Sequence, residues 1–273
     1  MQFITFSRKM GTGGSAIAGR VADELGYKCH DTDAIEAMAR EMGFLDDIRG
    51  VDDKAPTGFL RYFTNKPDIQ IDRLNSVIYE LASRGSAVFL GRGSHILLRS
   101  YECALHIRVT ASTAYRIQTL GRRGVPREAA ERLIQESDRE RSGFIKLFFN
   151  ADWENPELYD MVLNMDHLSE DLAVDTILHL ARSEEILSRS ADAMKSLEMI
   201  SLLQRARATL IEAEAFDRTF SFADVSVPVP GCVRLTGVVT DTANKDLIEN
   251  MMRKVKGVET VDNKISLVRY TGT

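Results

Sequence analysis

The residues able to do chemistry fall in four polar clusters, each following a short apolar run. The first, Ser7-Arg8-Lys9-Met10-Gly11-Thr12-Gly13-Gly14-Ser15, follows QFITF. Glycines let a backbone approach an anion closely. Successive N–H groups at a helix start suit phosphate oxygens, and Ser15 at that start is placed to meet Mg²⁺. The pattern G-x-x-x-x-G-K-[ST] is incomplete: Arg8 stands for its first glycine and Gly14 for its lysine. On the loop alone, a phosphate cradle and a plain tight turn fit equally. The other clusters are Asp31-Thr32-Asp33, Gly91-Arg92-Gly93 and Asn164. Asp31 is either a chemical group or a helix N-cap. Arg92 between two glycines at a strand end reads as an anion ligand.

These clusters need elements to position them. Residues 2–6 read as a strand, and Ile17, Val21 and Leu25 as the face of a helix closed by Gly26. Tyr27 to His30, Ala87 to Leu90, Ala104 to Val109 and Met161 to Leu163 read as further strands. Helices are expected on Ile35, Met38, Ala39 and Met42, on Ile71, Leu74, Val77, Ile78 and Leu81, over 112–146, and over 170–181. Residues 44–69 are irregular, as in an insertion over a site. Alternating strands and helices predict an α/β fold, a parallel sheet with helices on both faces. Ligands in such sheets sit at the carboxyl ends of the strands, where all four clusters fall.

A second pattern follows a Ser/Ala-rich linker at 183–197, giving domains at 1–182 and 198–273. Leu202, Leu203, Ala206, Leu210 and Ile211 make a helical face. Strands are expected over Phe220 to Val227, Val233 to Val239 and Val261 to Val268, with a turn at 228–231 and a helix carrying Leu247, Ile248, Met251 and Val255. Gly237 suggests a bulge or close packing and Gly257 a helix C-cap. This is a small C-terminal α+β domain.

Charge and cysteine usage narrow the function. Net charge is −5, and residues 198–273 hold ten basic and ten acidic side chains, so the acidic excess lies before them. That argues against a general nucleic-acid binder and for a local anion site. Cys29, Cys103 and Cys232 are far apart, and the five histidines have no metal-ligand spacing. No apolar run reaches the ~18 residues of a membrane span, and the N-terminus does not read as a secretory signal, so a cytoplasmic location is expected.

The stretch ITFSRKMGTGGSAIAGRVADELGYKCHD resembles the start of the cytidylate-kinase-like family of P-loop nucleoside monophosphate kinases. FLGRGSHILL, the region of Arg122-Arg123 and Asp138-x-x-Arg141, and the strand YDMVLNM extend the resemblance to about residue 182. It implies ATP and Mg²⁺ as cofactors and a nucleotide as substrate. Gly11, Thr12, Gly13, Gly14 and Ser15 would hold the donor phosphates, with Ser15 on Mg²⁺. Asp31 would polarise the acceptor phosphate, and Arg92 would clamp it. Arg122 and Arg123 would close as a lid, and Asp138 and Arg141 would help hold the pyrimidine nucleotide. The chain departs from the family where an aspartate follows the G-R pair, which is Gly93 here. It departs again where Asn164 and Met165 replace an aspartate and a threonine, and in the lysine missing from the loop. Arg8, Lys9 and Lys146 are the candidate replacements for that lysine.

The stretch GCVRLTGVVTDTANKDLIENMMRKVKGVETVDNKISLV resembles a BON domain, a module described as binding membranes or proteins. Two functions therefore compete, a CMP-type kinase and a non-catalytic nucleotide-binding regulator acting through the C-terminal module, with a kinase-fold enzyme acting on another small phosphate or alcohol acceptor as a third reading. Self-association into a homo-oligomer is compatible with either.

Overall fold

The computed structural model describes residues 2–48, 67–188, 193–214 and 222–267. The chain forms two compact units, Met1–Ala193 and Met194–Thr273.

The first unit is built on five strands: β1 (Phe3–Arg8), β2 (Lys28–His30), β3 (Ala87–Leu90), β4 (Ala104–Thr110) and β5 (Met161–Asn164). Their order is β2-β3-β1-β4-β5, every pairing parallel. All six residues of β1 are buried, as a central strand covered on both faces requires. The helices are α1 (Gly14–Leu25), α2 (Thr32–Glu41), α3 (Leu45–Ile48), α4 (Pro67–Ser83), α5 (Ser94–Leu97), α6 (Thr113–Arg122), α7 (Arg127–Phe149), α8 (Glu170–Ala181) and α9 (Glu184–Ser188). Ile17 and Val21 of α1 and Val174 and Ile177 of α8 pack on Ile4, Phe6, Val88 and Ile107 of the sheet. Phe3, next along β1 and so facing the opposite side, meets Phe89 and Tyr101. Gly26 ends α1 in the left-handed conformation, as expected from its sequence. The expected insertion at 44–69 lies, for 49–66, outside the described residues.

The second unit carries α10 (Ala193–Glu214), the hairpin β6 (Phe222–Val229) and β7 (Cys232–Val239), α11 (Thr242–Arg253), β8 (Thr260–Asn263) and β9 (Ser266–Leu267). β6 is antiparallel to β7, while β8 and β9 both pair with β7 in parallel. Leu202, Ala206 and Leu210 of α10 join Val225, Val233, Leu235, Ile248 and Met252 in one apolar core. Gly237 answers a close approach: a Cβ there would sit 2.1 Å from the Phe222 carbonyl oxygen. Three details differ from the sequence reading. The turn is confined to Pro230 and Gly231, because β6 runs on to Val229. The last strand is broken in two, because Ile265 N–H bonds the Asn263 side chain while Ile265 enters the core. Helix α11 is capped by Lys254, and Gly257 lies in the turn beyond it.

Candidate functional site

The loop between β1 and α1 is held by its own residues and by two buried arginines. Gly13 caps α1 in the left-handed conformation, its carbonyl accepting from Ala16 and Ile17. Thr12, 1% exposed, donates to the Lys9 carbonyl at 2.8 Å and accepts from Gly14 N–H at 3.3 Å. Thr12 is thus an internal brace of the loop. From α6, Arg116 Nε donates to the Met10 carbonyl at 2.6 Å. From α7, Arg141 donates to the Arg8 carbonyl. Met10 packs against Leu120 of α6 and Ile134 of α7. The helix pair therefore fixes the loop by carbonyl bonds and by an apolar plug.

Both oxygens of Asp138 bond the Arg116 guanidinium, each at 2.7 Å. This fork pairs a guanidinium 2% exposed with a carboxylate 28% exposed, in the bidentate geometry that suits the two groups. Arg116 was missed in the sequence. It stands four residues before Leu120, on the buried stripe of α6, and a charge on such a stripe signals a buried partner.

A cleft of about 250 Å³ opens over the loop, lined by Arg8, Lys9, Met10, Gly11, Gly13, Gly14, Ser15, Ala16, Arg123 and Arg141. Arg123, the C-cap of α6, reaches this lining, whereas Arg122 is exposed outside it. A second, tighter pocket of about 20 Å³, room for roughly one water, lies beside it. Its walls include Ser7, Arg92, His95, Phe144 and Trp153. Arg8 and Arg141 line both spaces.

Arg92 is 1% exposed and has φ of 57°, between Gly91 at 73° and Gly93 at 72°. A non-glycine residue pays about 1–2 kcal/mol for that conformation. Strain of this kind at a strand end gathers at functional sites. Its guanidinium is 4.0 Å from Glu36 of α2. A Cβ on Gly93 would come within 2.2 Å of the Phe149 ring. The space an aspartate would need at 93 is therefore taken by a phenyl group from the end of α7.

Beneath the pocket lies a buried polar hub. Tyr159 OH donates to the Trp153 carbonyl at 2.8 Å, lies 3.2 Å from Ser7 Oγ, and receives Arg108 at 3.1 Å. Arg108 stacks over the Trp153 ring and pairs with Glu154, which also pairs with Lys9. His95 stacks on Tyr159, and burial depresses its pKa to about 3, so it is neutral near pH 7.

Asp31 caps α2, accepting from Ala34 N–H at 3.0 Å. It is exposed and lines neither space. Asn164 and Met165 close β5: Asn164 accepts from Asp166 N–H, and Met165 is fully buried. Among the described residues no three His, Cys, Asp or Glu side chains could hold a metal together. In the cleft lining Ser15 Oγ is the side-chain oxygen placed to meet a hard cation, which fits Mg²⁺ carried mainly by waters and phosphates.

The model of the cytidylate kinase-like family matches residues 3–167, more than half of the chain. The chain belongs to the cytidylate kinase-like family. A BON domain follows at residues 204–269. No curated protein matches. Among solved structures, an uncharacterized protein from Eubacterium ventriosum ATCC 27560 is 17% identical with a TM-score of 0.54, covering 66% of this chain and 97% of its own. That likeness is one of fold. Shikimate kinase from Acinetobacter baumannii, in complex with shikimate, is 16% identical at a TM-score of 0.39, covering 70% of this chain and 96% of its own. Deoxyadenosine kinase from M. mycoides with bound dATP is 14% identical at 0.39, covering 67% and 100%. The kinase-like domain is a parallel-sheet α/β fold, with its β1–α1 loop at the carboxyl edge of the sheet. No described helix is long and apolar enough to cross a membrane.

Proposed function

We propose that the kinase-like domain transfers the γ-phosphate of ATP to a nucleoside monophosphate, with CMP or dCMP as acceptor. One observation carries this reading: Arg8 and Arg141 form a shared wall between the cleft over the loop and the pocket of Arg92. A phosphoryl group passing between two sites needs cations at the junction, because such transfer rests on positioning and charge neutralisation. In this reading the backbone from Gly11 to Ser15 receives the donor phosphates, and Arg123 covers them from the tip of α6. Arg122 joins it when that tip closes. Arg92 takes the acceptor phosphate, and Asp31 orients it. Arg141 bridges donor and acceptor, and Asp138 acts by holding Arg116 on the loop. Mg²⁺, when bound at Ser15, supplies charge neutralisation across the phosphate oxygens. A cytoplasmic location, and a protein or membrane partner for the BON domain, belong to the same reading.

The test is Mg²⁺-dependent ADP formation with CMP, dCMP, UMP, AMP and no acceptor. CMP-dependent turnover is expected, reduced at least about 100-fold in Arg92→Gly, the loss of a transition-state charge contact. Glycine suits φ of 57°, so this variant adds no backbone strain. Asp31→Asn keeps the helix cap while removing the charge, and is expected to lose turnover as well.

A second reading is a nucleotide-binding regulator acting through the BON domain. The phenyl ring of Phe149 in the space beside Gly93 favours it. ATP binding without turnover on any acceptor would select it.

A further inference from the structure

The phosphate-loop pattern departs at two positions six residues apart, Arg8 for glycine and Gly14 for lysine. In space the departures meet. A Cβ on Gly14 would lie 2.8 Å from Arg8 Cβ, 3.3 Å from Arg8 Cγ and 3.1 Å from Val109 Cβ. Non-bonded carbons sit best at about 3.5–4.0 Å, so the Arg8 stem occupies the room that a side chain at 14 would need. The stem then carries the guanidinium to the loop's working end. Arg8 Nε donates to Ser15 Oγ at 3.3 Å, and the residue borders the cleft over the loop. Arg141 on the Arg8 carbonyl fixes where the stem begins.

Of the other two candidate cations, Lys9 also borders the cleft but is tied into an ion pair with Glu154 at 3.0 Å. Lys146 is exposed near the end of α7 and outside the cleft lining.

We infer that the two departures are one exchange: Arg8 supplies the loop's phosphate-binding cation from the strand side, and glycine at 14 is the space this requires. The ligand class is a polyphosphate chain, whether of a nucleoside triphosphate or free. A guanidinium offers such a chain two parallel N–H donors where an ammonium offers a point charge. The inference rests on the phosphate-binding half of the proposed function and not on its acceptor or its catalysis.

The experiment is calorimetry on the full chain with Mg·ATP and, separately, Mg·tripolyphosphate. The proteins are wild type, Arg8→Gly, Gly14→Lys, the double variant Arg8→Gly/Gly14→Lys, and Lys146→Ala. Each single change in the exchanged pair is expected to weaken both ligands about 10–100-fold, the loss of a charged hydrogen bond. The double variant carries the full G-x-x-x-x-G-K-S pattern and is expected to recover most of that loss. Lys146→Ala is expected to match wild type. Should Arg8→Gly fail to fold, Arg8→Gln keeps the stem, removes the charge and gives the same reading.

Wild-type affinity in the Arg8 variants, or a double variant no tighter than Arg8→Gly, overturns the exchange even if Mg·ATP binds well. Tripolyphosphate binding that depends on Arg8, with no gain from the nucleoside, upholds the exchange and sinks the nucleotide reading. No binding of either ligand by wild type overturns both.

Discussion

The kinase-like domain and the BON domain treat arginine in opposite ways. The kinase-like domain holds Arg8, Arg92, Arg108, Arg116 and Arg141 each at 8% exposure or less. The described core of the BON domain is apolar, and its ion pairs, such as Arg234 with Asp262 and Arg253 with Glu249, stay in solvent. Burying a guanidinium costs several kcal/mol, recovered only through close partners. Paying that several times around one loop is intelligible where a preorganised anion site is the return. The BON fold needs no such site to close its core.

Breaking the Arg116–Asp138 fork is the strongest challenge to this contrast. Asp138→Ala leaves the buried Arg116 with the Met10 carbonyl but no carboxylate, and is expected to cost about 3 kcal/mol, the low end for a buried pair because Asp138 is part-exposed. Denaturant unfolding followed by Trp153 fluorescence reads it, since the chain's single tryptophan is buried in this domain. Asp262→Ala, at an exposed pair, should leave the unfolding of its own domain unmoved. Equal effects at the two sites would dissolve the distinction.

A smaller effect sharpens it. Gly93→Asp meets both the phenyl ring of Phe149 and a φ of 72°, and is expected to destabilise by about 1–3 kcal/mol. Adding Phe149→Ala should recover the packing part and leave the backbone part. If Gly93→Asp alone matches wild type in the same unfolding assay, the ring does not hold that space.

A graded effect, about 1.4 kcal/mol per pH unit for each proton, comes from histidine. All five histidines precede residue 180. Burial lowers His95 to about 3 and His30 to about 4. Below about 6.5 the unfolded chain takes up protons that the folded domain refuses, so stability is full above that pH. It is lost progressively as pH falls toward 4. His95→Gln should flatten the acid limb of the Trp153-monitored stability curve. An unchanged limb would remove His95 from the account. Hydrogen exchange at β7 should show no histidine-linked counterpart.

Much of the fold was legible because its signals are local. Apolar runs closed by glycine marked β1, β3 and the ends of α1, and the order of polar clusters marked the carboxyl edge of the sheet. The site was legible only in part. Glycines and strand ends pointed to the loop and to Arg92. Asp138 and Arg141 were visible as a spaced pair, but not their attachments: Asp138 meets Arg116 across 22 residues, and Arg141 meets Arg8 across 133. No periodicity reports such contacts. The reason for Gly14 was hidden likewise, since it lies in the path of a side chain six positions away.

The grip of α6 and α7 on the loop has a mechanical consequence. Arg116 and Arg141 hold the carbonyls of Met10 and Arg8, and Met10 is wedged between the two helices. The foot of this helix pair is thus a fixed pivot, unable to swing without dragging the loop along. The turn joining the helices lies beside the same plug: Val125 packs on the Leu120, Ala130 and Ile134 cluster that holds Met10, and Arg123, Gly124 and Pro126 are exposed. Under the proposed function, covering a bound phosphate chain falls to the exposed Arg122 and Arg123 side chains beside that turn, while the cradle keeps its shape.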